Sequence, residues 1–332
     1  MTIKLSVLDQ SPISEGTTAE EALRQTVQLA RHVEALGYER FWVSEHHDAS
    51  HLAGSSPEVL IAYLAAKTER IRLGSGGVML THYSPYKVAE NFRLLEGLAP
   101  GRVDAGVGRA PGGMPIASWA LNNGQPRKKD LFPELIDELV GYVKGDVESG
   151  PYPGLKASPV VQTVPEVWVL GSSLSSAKLA AEKGLPYAFA QFINGDGGSE
   201  HMAAYLKHFQ PSPLLNQPKN LTAVFTICAK TDEEAEYLAS SLDYSLIMGA
   251  QGMQLNGTPS PEKASAYEYN KYERPYIKEN RKRMVVGSPA TVREQFKRIS
   301  EQYETEEIMA VTIVYDFEKK LQSFEWLREA VQ

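Results

Sequence analysis

Cysteine is nearly missing from this chain. The single residue Cys228 excludes an internal disulfide framework and fits a reducing compartment. An excess of positive charge is missing too. With 34 Lys and Arg against 41 Asp and Glu, a net charge of -7, there is no cation surplus to displace counterions from nucleic-acid phosphates. No uncharged apolar run reaches the ~20 residues that span a bilayer. The N-terminus, Met1-Thr2-Ile3-Lys4-Leu5, lacks the basic start, apolar middle and small-residue cleavage site of a secretory leader. Low-complexity segments are absent, and nothing repeats beyond a strand–helix rhythm. These absences describe a soluble cytoplasmic protein. At 332 residues it is long enough to bury roughly three quarters of its unfolded surface without staples.

What is present is that rhythm. Branched and aromatic runs predict strands over 4–8, 40–43, 71–75, 102–107, 166–170, 187–190, 221–228 and 308–314. The segments between them carry helical spacing and start signals. Thr18 precedes Glu20-Glu21, Thr231 precedes Asp232-Glu233-Glu234, and Ser288-Pro289 opens a helix. A second helix, Pro57 to Lys67, is apolar nearly all round and therefore buried, a subunit interface being one way to bury it. Lys129 to Val143 reads as helix and 145–163 as irregular. The polar, Tyr- and Gly-rich stretch from Met248 to Arg283 lacks steady periodicity, as active-site lids do. Units of about 30 residues suit βαβ connections. Eight of them without a linker predict one domain over 1–332, a (β/α)8 TIM barrel with a mobile loop after the seventh strand, a doubly wound sheet plus a small domain being the fallback.

Three strand ends stand out, and a barrel places them on one rim. After Phe41-Trp42-Val43 the chain turns abruptly into Ser44-Glu45-His46-His47-Asp48. A His there suits a proton carrier, since imidazole titrates near neutral pH. Equally, both rings are satisfied as rim residues by Glu45 and Asp48. A metal site is disfavoured, because adjacent residues of an extended strand face opposite ways. After the fourth strand comes Gly108-Arg109-Ala110-Pro111-Gly112-Gly113. Its glycines admit a close ligand and its guanidinium suits phosphate, although a Gly-rich turn with a surface Arg reads the same way. After the fifth comes Gly171-Ser172-Ser173-Leu174-Ser175, either an ordinary Ser cap or an anion site at a helix start. In a barrel the last two are neighbours, so both can grip one phosphate. Gly74-Ser75-Gly76-Gly77 marks an unusually close backbone, against a flat ring or as a β-bulge. Trp42, Trp168, Phe189, Phe225 and Cys228 read as core.

Taken together, Phe41-Trp42-Val43-Ser44-Glu45-His46-His47, Gly74-Ser75-Gly76-Gly77-Val78-Met79-Leu80 and Gly101-Arg102-Val103-Asp104-Ala105-Gly106-Val107-Gly108-Arg109 resemble the bacterial luciferase-like, flavin-dependent monooxygenases. The resemblance is densest over 1–115 and continues with Gly171-Ser172-Ser173 and Val286-Gly287-Ser288-Pro289. It implies a (β/α)8 barrel, FMN at the carboxyl rim and a homodimer. On that pattern His46 matches the active-site histidine and Arg109 the arginine on the FMN phosphate. Gly171, Ser172, Ser173 and Ser175 match the loop sharing that phosphate. Gly76–Gly77 matches a non-prolyl cis peptide under the isoalloxazine ring, with Val78 beside it. Asp9, Gln10, Glu45 and Tyr83 are rim residues for the substrate, and 248–283 matches the mobile loop. No metal is implied.

The implied activity takes reduced FMN from a separate NAD(P)H:flavin reductase and uses O2 to oxygenate a small organic molecule. A deazaflavin-dependent hydride-transfer enzyme, a non-catalytic flavin-binding protein and a metal-dependent barrel hydrolase are the alternatives. Gly108 stands where bacterial luciferases place a reactive cysteine, and Thr81 and Ser84 replace a Pro and a His. These departures point away from light emission and a long-chain aldehyde. The whole reading requires the tips of strands two to five, with His46 and Arg109, to converge on a single pocket.

Overall fold

The structure is a computed structural model and describes residues 3–146, 148 and 151–332. Its strands are Lys4–Asp9 (β1), Arg40–Val43 (β2), Arg72–Ser75 (β3), Val78–Met79 (β4), Val103–Gly108 (β5), Glu166–Gly171 (β6), Tyr187–Ala190 (β7), Asn220–Cys228 (β8), Met284–Gly287 (β9) and Glu307–Val311 (β10). Its α-helices are Ala19–Ala35 (α1), Pro57–Ala65 (α2), Pro85–Leu98 (α3), Pro115–Leu121 (α4), Phe132–Lys144 (α5), Leu174–Lys183 (α6), Gly198–His208 (α7), Asp232–Ala250 (α8), Pro261–Ser265 (α9), Glu273–Arg281 (α10), Pro289–Tyr303 (α11) and Phe317–Val331 (α12).

Eight parallel strands close in the order β1-β2-β3-β5-β6-β7-β8-β10, and Ala310 of β10 lies opposite both Val7 of β1 and Val224 of β8. The expected (β/α)8 barrel is therefore the fold. β4 extends the sheet beside the end of β5, Val78 facing Val107, and β9 attaches to the far end of β8, Cys228 facing Gly287. Every residue of β2 and β5 is buried, as strands covered on both faces must be. One apolar layer lies between barrel and helices. A second fills the barrel, where Trp42 and Trp168 meet edge to face at 5.4 Å. Caps begin the helices where the sequence places them: Thr18 accepts from the Glu21 N–H, Ser173 from Ser176 and Thr231 from Glu234.

The two barrel ends divide the labour. At the amino end, buried Arg40 donates to Glu307 at 2.6 Å and to Asp104 at 2.7 Å, and Trp42 Nε1 donates to the same Asp104 at 2.9 Å. Burial alone raises the Asp104 pKa, but Arg40 and Arg72 outweigh it and hold the carboxyl below the usual range. This network closes the bottom of the barrel and leaves the carboxyl end for chemistry.

Some expectations need correction. α2 is not buried all round: Ile61 and Leu64 are buried, whereas Val59 and Tyr63 face outward at 72% and 54% exposure. The stretch 248–283 holds the last turn of α8 and the short helices α9 and α10, each too short for periodicity to reveal. The helix expected from Lys129 begins as a 3-10 turn, and α4 and β9 were not foreseen. β10 stops at Val311, short of the expected Val314, and the Thr312 hydroxyl donates to the Thr226 carbonyl at 2.8 Å. Within the irregular segment 145–163, Val147, Ser149 and Gly150 lie outside the described residues, as do Met1 and Thr2. No described helix is long and apolar enough to cross a membrane.

Candidate active site

Two cavities open at the carboxyl end of the barrel. The first, about 590 Å³, lies over the barrel axis and is walled by Leu8, Trp42, Phe192 and Met309. Its floor includes Gly76 and Gly77, joined by a cis peptide bond. The missing side chains matter here. A Cβ on Gly76 would lie 2.6 Å from Leu8 Cδ1, and one on Gly77 would lie 2.8 Å from the Gly106 carbonyl oxygen. Only a bare backbone fits between the strands and the open space above.

One end of this cavity is built for an anion. Arg109, on the loop after β5, donates to the Ser175 hydroxyl at 2.7 Å and to Ser173 at 3.5 Å. Ser172, Ser173 and Ser175 line the same end together with Gly171. Ser173 caps α6, so the free N–H groups and positive end of that helix lie beside the guanidinium. Arg127 steadies the loop by donating to the Arg109 carbonyl at 2.9 Å. The two sequence segments expected to share a ligand do meet.

The second cavity, about 600 Å³, holds His46 and Gln10. Here the expectation of one undivided pocket is corrected: His46 and Arg109 line two adjoining cavities, yet both open at the carboxyl rim and neither residue faces a separate surface. Phe192 on the first and Phe225 on the second touch edge to face at 5.3 Å. The loops themselves are joined, since the His47 N–H donates to the Gly112 carbonyl at 2.7 Å and His47 bridges to Gly113. His46 Nδ1 sits 3.0 Å from the Ser44 hydroxyl, and its backbone N–H is held by the Gly54 carbonyl at 2.8 Å. Burial, reinforced by the neighbouring His51 and His47, lowers its pKa from 6.5 to about 4, so the ring is neutral at pH 7.

Other expected rim residues are engaged elsewhere. Asp9 is buried, gripped by Lys320 Nζ and the Thr26 hydroxyl, each at 2.6 Å, and lines neither cavity. Glu45 is buried too, accepting from the Met79 N–H at 3.0 Å and from Tyr83 at 2.8 Å, with His47 Nε2 at 2.8 Å. Burial and then Glu45 push the Tyr83 phenol well up, which keeps it a donor. Glu45 and Tyr83 thus brace β4 and the loop after β2 from behind, and neither lines either cavity. Val78 lies in the core. The sequence reading missed His51, Ser245 and Tyr276 in the second cavity, because they come from segments that only the fold brings together. Among the described residues, no group of three or more His, Cys, Asp or Glu is arranged for a metal.

The family model described as luciferase-like monooxygenase matches residues 3–305. The chain belongs to the luciferase-like monooxygenase family. Within it, the chain is 56% identical over 329 residues to the Bacillus subtilis protein YwcH, covering 99% of each. It is 40% identical over 332 residues to the N-acetyl-S-alkylcysteine monooxygenase of the same organism, covering 99% of this chain and 98% of that one. The solved structure of apo-MsnO8 superposes with a TM-score of 0.89 at 37% identity, over 99% and 98% of the two chains. More distant structures share the fold alone. A Pseudomonas putida type II Baeyer–Villiger monooxygenase solved with FMN has TM-score 0.72 at 20% identity, over 99% and 97% of the chains. An F420-dependent secondary alcohol dehydrogenase has TM-score 0.70 at 14%, over 100% of each. Membership places the chain among oxygenases and related oxidoreductases.

Proposed function

We propose that this chain is an FMN-dependent monooxygenase that receives reduced FMN from a separate NAD(P)H:flavin reductase and oxygenates a small organic molecule with O2. The observation that carries the reading is the first cavity, with its side-chain-free Gly76–Gly77 floor at one place and the Arg109–Ser173–Ser175 cluster at another. The donor set fits the group. A guanidinium, serine hydroxyls and a helix N-terminus suit a phosphate dianion, while apolar walls and bare glycine backbone suit a flat ring. When bound, reduced FMN supplies the activation of O2.

The rest falls to the protein. Arg109, Ser172, Ser173 and Ser175, with Gly171 behind them, anchor the phosphate, and Gly76 and Gly77 form the ring's seat, with Val78 packed in the core behind it. His46 keeps one N–H and one acceptor nitrogen as a neutral ring, and the 3.0 Å hydrogen bond between its Nδ1 and the Ser44 hydroxyl fixes the ring's orientation. Residues from the segment after α8, such as Met253, Leu255 and Tyr276, cover the second cavity and exclude water from it. Gln10 lines that cavity as a substrate contact, whereas Asp9, Glu45 and Tyr83 act from behind the wall.

We also propose one domain, a cytoplasmic location and a homodimer. Exposed Val59 and Tyr63 of α2, with Leu94 and Leu98 of the adjacent α3, support the last of these. The rival reading is deazaflavin-dependent hydride transfer, supported by likeness in fold alone, and a non-catalytic flavin-binding protein is the third. A binding screen of FMN, riboflavin and a deazaflavin, followed by oxygen consumption with a flavin reductase, separates them. FMN must bind best and oxygen uptake must follow addition of substrate. A preference for the deazaflavin, or FMN binding without uptake, would transfer the assignment to the corresponding rival.

A further inference from the structure

The second cavity carries information about the substrate's charge, and the inference rests on the functional reading above. Its wall is mostly apolar, from Leu242 and Leu246 of α8 to Phe225 and Ile313. Its polar lining includes His46, His47, His51, Gln10, Ser245 and Tyr276. Burial lowers the pKa of His46 and His51, so neither supplies a cation at neutral pH, and the Nε2 of the third histidine, His47, is taken up by Glu45 at 2.8 Å. No lysine or arginine lines this cavity among the described residues.

Cations nearby are already committed. Arg281 is bound to Asp243 at 2.7 Å and Glu236 at 3.0 Å, Arg283 to the Phe192 and Ile193 carbonyls at 2.6 Å, and Lys320 to Asp9. Among the described residues Asp48 is the one carboxylate lining this cavity, and it is exposed at the rim, where water already serves it. A carboxylate inside would leave water for a site without a counter-charge, and a buried unpaired ion is strongly disfavoured. An ammonium group would find only a solvated partner.

We propose that the second cavity takes an uncharged, largely apolar molecule whose acceptor atom meets the His46, His51 or Tyr276 donors, and that it discriminates against carboxylates. This separates the chain from its 40% identical relative, whose named substrate, an N-acetyl-S-alkylcysteine, bears a carboxyl group.

The test uses three probes with one skeleton: methyl 3-(benzylthio)propanoate, 3-(benzylthio)propanoic acid and 3-(benzylthio)propylamine. Binding is measured by calorimetry at pH 7.5 on the full chain, with and without FMN. The ester is expected to bind at least tenfold more tightly than either charged probe. Ser245→Lys, which adds a cation to the wall, should close that gap for the acid and widen it for the amine. Equal or tighter binding of the acid or amine, or no measurable binding of the ester, overturns the proposal. FMN affinity is read separately, so loss of the cofactor reading is distinguished from loss of this one by the measurements without FMN.

Discussion

Arg109 and Ser175 stand 66 positions apart on different strand–helix units, and the guanidinium of one donates to the hydroxyl of the other at 2.7 Å. Parallel pairing of β5 with β6 produces the meeting, because it places the loops that follow them side by side. The consequence is directional. A phosphate bound there gains a charge-assisted contact from Arg109, worth ~1.5–3 kcal/mol. Arg109→Ala should therefore weaken FMN binding roughly tenfold to a hundredfold, since about 1.4 kcal/mol is one decade. Riboflavin, which has no phosphate, should bind wild type and variant alike. Calorimetric titration of both ligands reads the difference.

Asp9 and Lys320 give a prediction of the opposite kind, structural and not functional. Their 2.6 Å contact is buried on both sides, and Thr26 adds a hydroxyl to the carboxylate. Removing one partner strands the other charge in the interior, at a cost of ~3–5 kcal/mol. Lys320→Met should lower the thermal midpoint sharply. The double variant Asp9→Asn with Lys320→Met should recover most of the loss, with FMN affinity near wild type in the double variant. A double variant no more stable than the single one would contradict the pairing.

That pair also shows where sequence reasoning stops. Phe41-Trp42-Val43 announces a buried strand, and Thr18, Ser173 and Thr231 announce helix starts, because these signals act between neighbours in the chain. The barrel follows from their alternation. Asp9 sits at a strand end, where rim residues belong, yet the partner that removes it from solvent lies 311 positions away on α12. Glu45 is similar: its charge suggested a ligand contact, while its acceptors are spent on Met79 and Tyr83 beyond the next helix. Phe192 and Phe225 line one cavity each and meet edge to face at 5.3 Å, and of the two only Phe225 is marked in the sequence, as core.

His46 should show its environment in its titration. Its pKa is about 4 in the fold and near 6.5 when unfolded, so below 6.5 the unfolded chain binds the proton more readily. The stabilisation from keeping this ring neutral is complete above pH 6.5 and is lost as pH falls from 6.5 toward 4. NMR of labelled imidazoles should find the His46 ring still neutral at pH 5.5, its resonance identified by its absence from the His46→Ala spectrum. Turnover that depends on neutral His46 should be level from pH 6 to 8, and His46→Ala should slow turnover while leaving FMN affinity within a few fold. A His46 resonance titrating near 6.5 would remove the basis for both expectations.

The cavity floor offers a comparison between two glycines. A Cβ on Gly77 would meet the Gly106 carbonyl oxygen at 2.8 Å and Leu170 Cδ2 at 3.0 Å. The leucine can turn aside, but the carbonyl belongs to β5 and cannot move without shifting the strand that carries Arg109. Gly77→Ala should therefore cost ~1–3 kcal/mol as overpacking, and should weaken FMN binding because the seat and the anchor shift together. Gly141 is the control. It lies within α5 with nothing inside 4 Å of an added Cβ. Gly141→Ala should stabilise the chain by ~0.5–1 kcal/mol through helix propensity and leave FMN affinity unchanged. Chemical denaturation and flavin titration of the two variants side by side distinguish a tight floor from a general intolerance of alanine: loss at both positions would refute the close contact as the cause.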